Sequence, residues 1–153
     1  MRSEARATAL ILLGSSALLG GALAFQYIGG LQPCEMCLWQ RWPHVAALCL
    51  ALLAWTLRHN RRVLVLAGVS LLAGAAIGYY HAGVEYHWWA GPAACTAQAM
   101  TGSVADITRM VLATPLILCD AAAWTLFGVS MAGYNALLST LIGGASLWLT
   151  LKR

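Results

Sequence analysis

Residues 33–57 read PCEMCLWQRWPHVAALCLALLAWTL. The stretch opens on two cysteines with a two-residue spacer, passes an interfacial belt of Leu38, Trp39 and Trp42 with Arg41, and runs on as an uncharged apolar segment from Pro43 to Leu57. A C-x-x-C closes a small, often strained and reactive ring, and here it sits just before an apolar run. The rest of the chain is apolar too. Of its 153 residues, 61% are hydrophobic and 9% charged, against roughly 45–50% and about 25% in soluble domains. So few charges cannot cover a soluble ball of this size, which excludes a soluble enzyme and a disordered tail.

A spanning helix needs about 20 mostly apolar residues. Besides 43–57, three stretches meet or approach that length: Ala7 to Ile28, Val63 to Tyr80 and Met131 to Leu151, the last closed by Lys152 and Arg153. The expected fold is therefore an all-α membrane protein, a four-transmembrane-helix bundle forming one domain over 1–153. Its spans lie near 7–28, 43–57, 63–80 and 131–151, and its outward loops near 29–42 and 81–130. The first segment has the basic start of a signal peptide, with Ala22-Leu23-Ala24 as a cleavage-like site, but its apolar run is long and reads as a retained span. Gly74 and Gly78 stand at a helix-packing spacing, a weak signal in a chain with 15 glycines.

Basic residues set the orientation. Arg2, Arg6, Arg58, Arg61, Arg62, Lys152 and Arg153 fall on one side, and only Arg41 and Arg109 on the other. The bias puts both termini in the cytoplasm. A net charge of +4 arranged in this way is no nucleic-acid footprint.

Cys34, Cys37, Cys95 and Cys119 then share the outward side, while Cys49 lies mid-span and reads as a small buried hydrophobe. An outward, oxidising face forms disulfides. Cys37 also lies near a helix start, where free N–H groups and the helix dipole favour a thiolate. Two structural clamps, or a four-thiolate zinc site, are the plain alternatives; zinc would need a second close pair, and Cys95 and Cys119 are far apart. Covalent haem needs His after the second cysteine, and Leu38 is there. Between the outer cysteines, Met100, Val104, Ile107 and Val111 recur at helical spacing with Asp106 and Arg109 off that face, which predicts a short amphipathic helix anchoring the loop. His59, among arginines, reads as solvated.

Taken together, Pro33 to Trp42, Tyr79-Tyr80-His81-Ala82-Gly83-Val84-Glu85, Gly91-Pro92-Ala93-Ala94-Cys95 and Cys119-Asp120 make the chain resemble the DsbB family of disulfide-generating membrane proteins. The resemblance implies a membrane thiol:quinone oxidoreductase of the bacterial inner membrane. Its redox cysteines would face the periplasm, its partner would be a periplasmic DsbA-like thiol oxidase, and its acceptor ubiquinone or menaquinone. It implies that Cys95 meets the partner, that Cys119 pairs with Cys95 and exchanges with Cys34, and that Cys37 faces the quinone. Arg41 and His81 match quinone-site residues, and no metal is implied. Gln40 stands where the family often has Glu. An ordinary clamp disulfide could not reoxidise a strongly oxidising partner, since each 30 mV of unfavourable potential costs about 1.4 kcal/mol; an apolar quinone drawing off electrons supplies that drive. Two other classes fit less of the sequence: a haem-carrying electron-transfer bundle with His44 and His81 as axial ligands, and a disulfide-stapled structural membrane protein.

Overall fold

The computed structural model describes residues 2–96, 102–113 and 117–152. Met100 and Arg153, used in the sequence reading, lie outside them. The elements are α1 (Arg2–Tyr27), α2 (Glu35–Thr56), α3 (Arg61–Glu85), α4 (Val104–Ala113), β1 (Thr125–Leu126), β2 (Val129–Ser130) and α5 (Met131–Leu151).

Three of the long helices, α2, α3 and α5, start where a side chain takes up an orphan N–H. Asn60 Oδ1 accepts from the Arg62 and Val63 amides at 3.0 and 3.4 Å, and Ser130 Oγ accepts from the Gly133 amide at 3.1 Å. Such caps contribute about 1 kcal/mol each. At α2 the cap is a thiol: Cys34 Sγ accepts from the Cys37 amide at 3.2 Å. Pro43 sits inside α2. Its own carbonyl is taken up from α3, where Ser70 Oγ donates to it at 3.0 Å.

The four long helices pack in a ring, α1 against α2, α2 against α3, α3 against α5, and α5 back against α1. Alanine dominates the seam at the end that holds the chain's start, with Ala7, Ala47, Ala51, Ala54 and Ala67 buried around Ile11, Leu64 and Leu71. Small residues let helices approach closely, the usual basis of packing in an apolar medium. Gly78 is such a contact, because a Cβ there would lie 3.0–3.1 Å from the Cβ, Cα and N of Ala136. Meanwhile Leu13, Leu66 and Leu141 turn outward, 74%, 57% and 67% exposed. An apolar outer wall around a ring of small residues is what a bilayer accepts and water does not.

Among the described residues two helices, α1 and α3, are long and apolar enough to cross a membrane by length and composition. The helices also overrun the expected spans. The second begins at Glu35, so Cys37 and Arg41 belong to it, and the third continues to Glu85. His81, expected at the edge of a loop, is therefore a helical residue, because Ala82-Gly83-Val84-Glu85 contains nothing to stop the helix. Gly83 allows this last turn to meet Trp89, whose ring carbons would lie 2.0–2.6 Å from any Cβ there.

Two further expectations need correcting. Cys49 is exposed, on the outer wall, where an apolar thiol among lipid-facing leucines costs nothing. His59 is not merely solvated: with φ 63 it closes the α2–α3 turn, and its Nδ1 hydrogen-bonds Thr8 Oγ1 at 2.8 Å.

The segment between α3 and α5 contains a feature not expected from the sequence. β1 and β2 pair antiparallel, Thr125 with Ser130 and Leu126 with Val129. Phe127 and Gly128 both have positive φ, 49 and 76, the mirror-image turn that matches strand twist. The Tyr86 hydroxyl pins this hairpin to the end of α3, donating to the Gly128 carbonyl at 2.8 Å and accepting from the Ser130 amide at 2.9 Å. The short helix is present as α4. Ser103 and Asp106 cap it reciprocally: Ser103 Oγ and the Ser103 amide donate to Asp106 Oδ2 at 2.6 and 3.3 Å, and the Asp106 amide donates to Ser103 Oγ at 3.3 Å.

Candidate functional site: a buried cysteine cluster beside an apolar cavity

Cys34, Cys95 and Cys119 form one buried cluster with Met36 and Val84, and Cys37 packs against it. Residues from the first outward loop, α2, α3 and both ends of the second loop thus meet at one end of the bundle. Cys95 and Cys119 are joined by a disulfide with Cα atoms 5.3 Å apart. The Cys119 amide donates to the Cys95 carbonyl, so the backbone holds the two loop ends together as well. Cys34 and Cys37 are thiols, their sulfurs 2.7 Å apart.

Both inner thiols lie ahead of the segment 43–57, and they differ in kind. The Cys34 thiol donates to Cys37 and pulls its pKa down; the Arg41 charge, one turn along α2, acts in the same direction while burial opposes. The same hydrogen bond holds the proton on Cys34, and burial pushes that thiol up further. The pair is therefore unequal, with the proton held more tightly at Cys34 than at Cys37. The cap geometry explains why the first thiol tolerates burial: it sits over the open N–H groups of α2.

His81 is 1% exposed and stands directly behind the inner pair, its Nε2 3.5 Å from Cys34 Sγ. Its ring also lies against the Cys119 backbone. Nε2 is 3.7 Å from Glu85 Oε1, one turn further along α3. On the other side Nδ1 pairs with Gln40 Nε2 at 2.7 Å. From there a chain of polar contacts crosses the bundle. Asn135 Nδ2 donates to Gln40 Oε1 at 2.7 Å, His44 Nε2 meets Asn135 Oδ1 at 2.9 Å, and Ser139 Oγ lies 3.4 Å from His44 Nε2. Buried polar groups in an apolar bundle are costly unless partnered, and this chain partners most of them.

Beside the inner pair is a cavity of about 330 Å³. Its walls are apolar, from Ala17, Leu18 and Phe25 of α1, Leu138 of α5, and Ile117, Leu118 and Trp124 of the second loop. Its polar side carries Cys34, Cys37, Gln40, Arg41, His44, Glu85 and Asn135. Arg41 donates from Nη1 to Gln26 Oε1 at 2.6 Å and has no carboxylate partner among the described residues.

The sequence-predicted residues thus fall into two groups. The four cysteines and His81 converge in one cluster, and Arg41 opens on the adjoining cavity with Cys34 and Cys37. His81 does not line the cavity. Sequence reasoning gave no role to Asn135, Glu85 or the bridging function of Gln40, and placed His44 only as an axial ligand in the haem alternative. A buried asparagine inside the apolar run Met131 to Leu151 was the available signal, since a polar residue within a span marks function by default. His44 and His81 are linked through Gln40 and Asn135 rather than facing each other across an open space, so they offer no pair of axial haem ligands.

Clustered cysteines, one pair oxidised and one reduced, at the end of an apolar helix bundle define a membrane-protein class, the thiol–disulfide oxidoreductases. The family model for DsbB, disulfide bond formation protein DsbB, matches residues 4–149, and the chain belongs to that family. It is accordingly a disulfide-forming membrane oxidoreductase. Its relatives include disulfide bond formation protein B of Polaromonas naphthalenivorans (strain CJ2), 28% identical over 94% of this chain and 89% of the relative. Disulfide bond formation protein B of Methylococcus capsulatus (strain ATCC 33009 / NCIMB 11132 / Bath) is 30% identical over 86% of this chain and 85% of its own length. No solved structure matches the chain.

Proposed function

We propose that this protein is a thiol:quinone oxidoreductase of the bacterial inner membrane that reoxidises a periplasmic DsbA-like thiol oxidase. In this reading all four long helices span, both termini are cytoplasmic, and the cysteine end faces the periplasm. One observation carries it: two cysteine pairs share one buried cluster beside an apolar cavity lined by Arg41. Two disulfide clamps would have no reason to meet.

The relay follows from the positions. A partner thiolate attacks Cys95 Sγ, forming a mixed disulfide and releasing the Cys119 thiolate. Cys119 then attacks Cys34 of the oxidised inner pair, releasing Cys37 as thiolate. The partner's second thiolate attacks the partner's own sulfur in the mixed disulfide, so the partner leaves oxidised and Cys95 is released as a thiolate. The freed Cys95 thiolate attacks Cys119, restoring the outer disulfide and releasing Cys34. The net result is one partner disulfide made and the inner pair reduced, the state seen here. Cys34 takes a proton with His81 Nε2 beside it, and Cys37 stays a thiolate under the Arg41 charge. A membrane quinone, ubiquinone or menaquinone, supplies the two-electron acceptor that returns the inner pair to a disulfide.

The cavity suits such a molecule. It is apolar enough for a ring and isoprenoid tail, with Arg41, in ion-pair contact with no carboxylate among the described residues, placed to hydrogen-bond a carbonyl oxygen and with Cys37 on the same wall. The test is direct. Purified protein is mixed with a reduced periplasmic thiol oxidase and a soluble quinone, and quinone absorbance is followed. Thiol-dependent loss of quinone is expected; its absence would overturn the reading.

A further inference from the structure

The inner thiols have a third neighbour suited to bind more than a proton. Cys34 Sγ, Cys37 Sγ and His81 Nε2 all lie within 4.8 Å of one another. A tetrahedral ion bound at about 2.3 Å by sulfur and about 2.0–2.1 Å by nitrogen sets its ligand atoms roughly 3.5–4 Å apart. The three atoms would close around such an ion once the two sulfurs, now 2.7 Å apart, open slightly. A fourth donor lies just outside that set. The Glu85 side chain is 5% exposed, with Oε1 3.7 Å from His81 Nε2, its Oε2 is buried without a hydrogen-bond partner, and a turn of the side chain would bring a carboxylate oxygen to the ion. It is close enough to act on the charge of both sulfurs.

We propose that the reduced form of Cys34 and Cys37, with His81 and Glu85, is a binding site for a thiophilic divalent cation, zinc foremost, and that the bound ion halts the relay. Binding exchanges the cation for the thiol protons, which leave to water; no electron moves. Both sulfurs are then held as metal-bound thiolates and can neither form their disulfide nor be exchanged with Cys119. The oxidised pair has no thiolate to offer and does not bind. The four-thiolate zinc site weighed from the sequence is a different set, and the disulfide uses up two of its members. The third ligand here comes from α3, distant in sequence. Gln40 serves as the outer support. With Nε2 on the ion the imidazole keeps its proton on Nδ1, and the Gln40 amide presents its oxygen there. The Gln40–Asn135–His44 chain can reverse its donor and acceptor sense as a unit to permit this.

The experiment uses full-length protein carrying Cys95→Ser and Cys119→Ser, reduced with a phosphine, freed of quinone and metal, and titrated with Co2+. One cobalt per chain is expected, with thiolate-to-cobalt charge-transfer absorbance and the ligand-field intensity of a tetrahedral site, displaced stoichiometrically by Zn2+. His81→Ala should weaken binding at least about tenfold. Gln40→Glu, which keeps the side-chain shape and places a carboxylate on Nδ1, should tighten it by about tenfold or more. Protein with Cys34 and Cys37 oxidised should bind none. Absence of cobalt–thiolate absorbance in the reduced protein would overturn the proposal. So would equal affinity in His81→Ala, or an affinity in Gln40→Glu that is unchanged or weaker.

Discussion

Cys37 and Arg41 lie one helical turn apart on α2, and each makes the other useful. The guanidinium favours the Cys37 thiolate, and the thiolate lies where an electron acceptor in the cavity would meet it. In reduced protein, Cys37 should therefore be alkylated at pH values below the ordinary thiol range near 8.5, with Cys34 lagging until higher pH. Mass mapping of alkylated peptides across a pH series reads this; equal profiles for the two cysteines would contradict it. Arg41→Gln should shift the Cys37 profile upward and also weaken quinone binding. The lost charge-assisted hydrogen bond is worth roughly 1.5–3 kcal/mol, about a tenfold to hundredfold rise in half-saturating quinone. Lys at this position keeps the charge without the planar fork and should fall between. An unchanged half-saturation in Arg41→Gln would make the residue an interfacial anchor only.

At the scale of elements, the site is held by how closely α3 meets α5. Gly78 lies against the Ala136 backbone, and each helix contributes to the polar chain nearby, with His81 one turn further along α3 and Asn135 next to Ala136 on α5. Gly78→Leu should force the helices apart and cost about 1–3 kcal/mol. It should also loosen the Gln40–Asn135 contact, so partner oxidation would fall along with thermal stability in detergent. Retained stability would show that the close approach is not limiting. The hairpin acts in the same way on the outer pair. Tyr86→Phe removes both bonds that pin it to α3, and should speed reduction of the Cys95–Cys119 disulfide by a soluble thiol while leaving the helix content intact. Unchanged reduction kinetics would count against a positioning role for the hairpin.

For the molecule as a whole, the arrangement is one apolar ring with chemistry at one end and basic charge at the other. Arg61 Nη2 donates to the Leu151 carbonyl at 3.3 Å, and Lys152 lies 4.6 Å over the Trp148 ring, so the basic loop and the chain's last helix turn are together. A fluorescent protein fused after Arg153 should fluoresce, and a periplasm-dependent phosphatase fused there should be inactive; the reverse pattern would invert the orientation. The relay is also a property of the whole. Cys119→Ser should trap a mixed disulfide between Cys95 and the partner, visible on gels run without reductant. An adduct appearing instead in Cys95→Ser would exchange the roles of the two outer cysteines.

The sequence by itself determined the helical, membrane-suited character of the chain, because composition and the lengths of apolar runs act locally along the polymer. It also supplied the cysteine pattern, since spacing and basic flanks are written along one dimension. It did not show that Cys34, Cys37, Cys95 and Cys119 share one cluster without borrowing from a resemblance, because that proximity depends on how α2, α3 and the two ends of a long loop fold back. The hairpin at Thr125–Ser130 was invisible because two-residue strands have no periodicity to detect. His81 was misplaced because helix ends are set by caps and packing, here Tyr86 and Trp89, not by where hydropathy falls. The chain from His81 through Gln40 and Asn135 to His44 joins three helices, and only tertiary packing decides which polar side chains in an apolar bundle find each other.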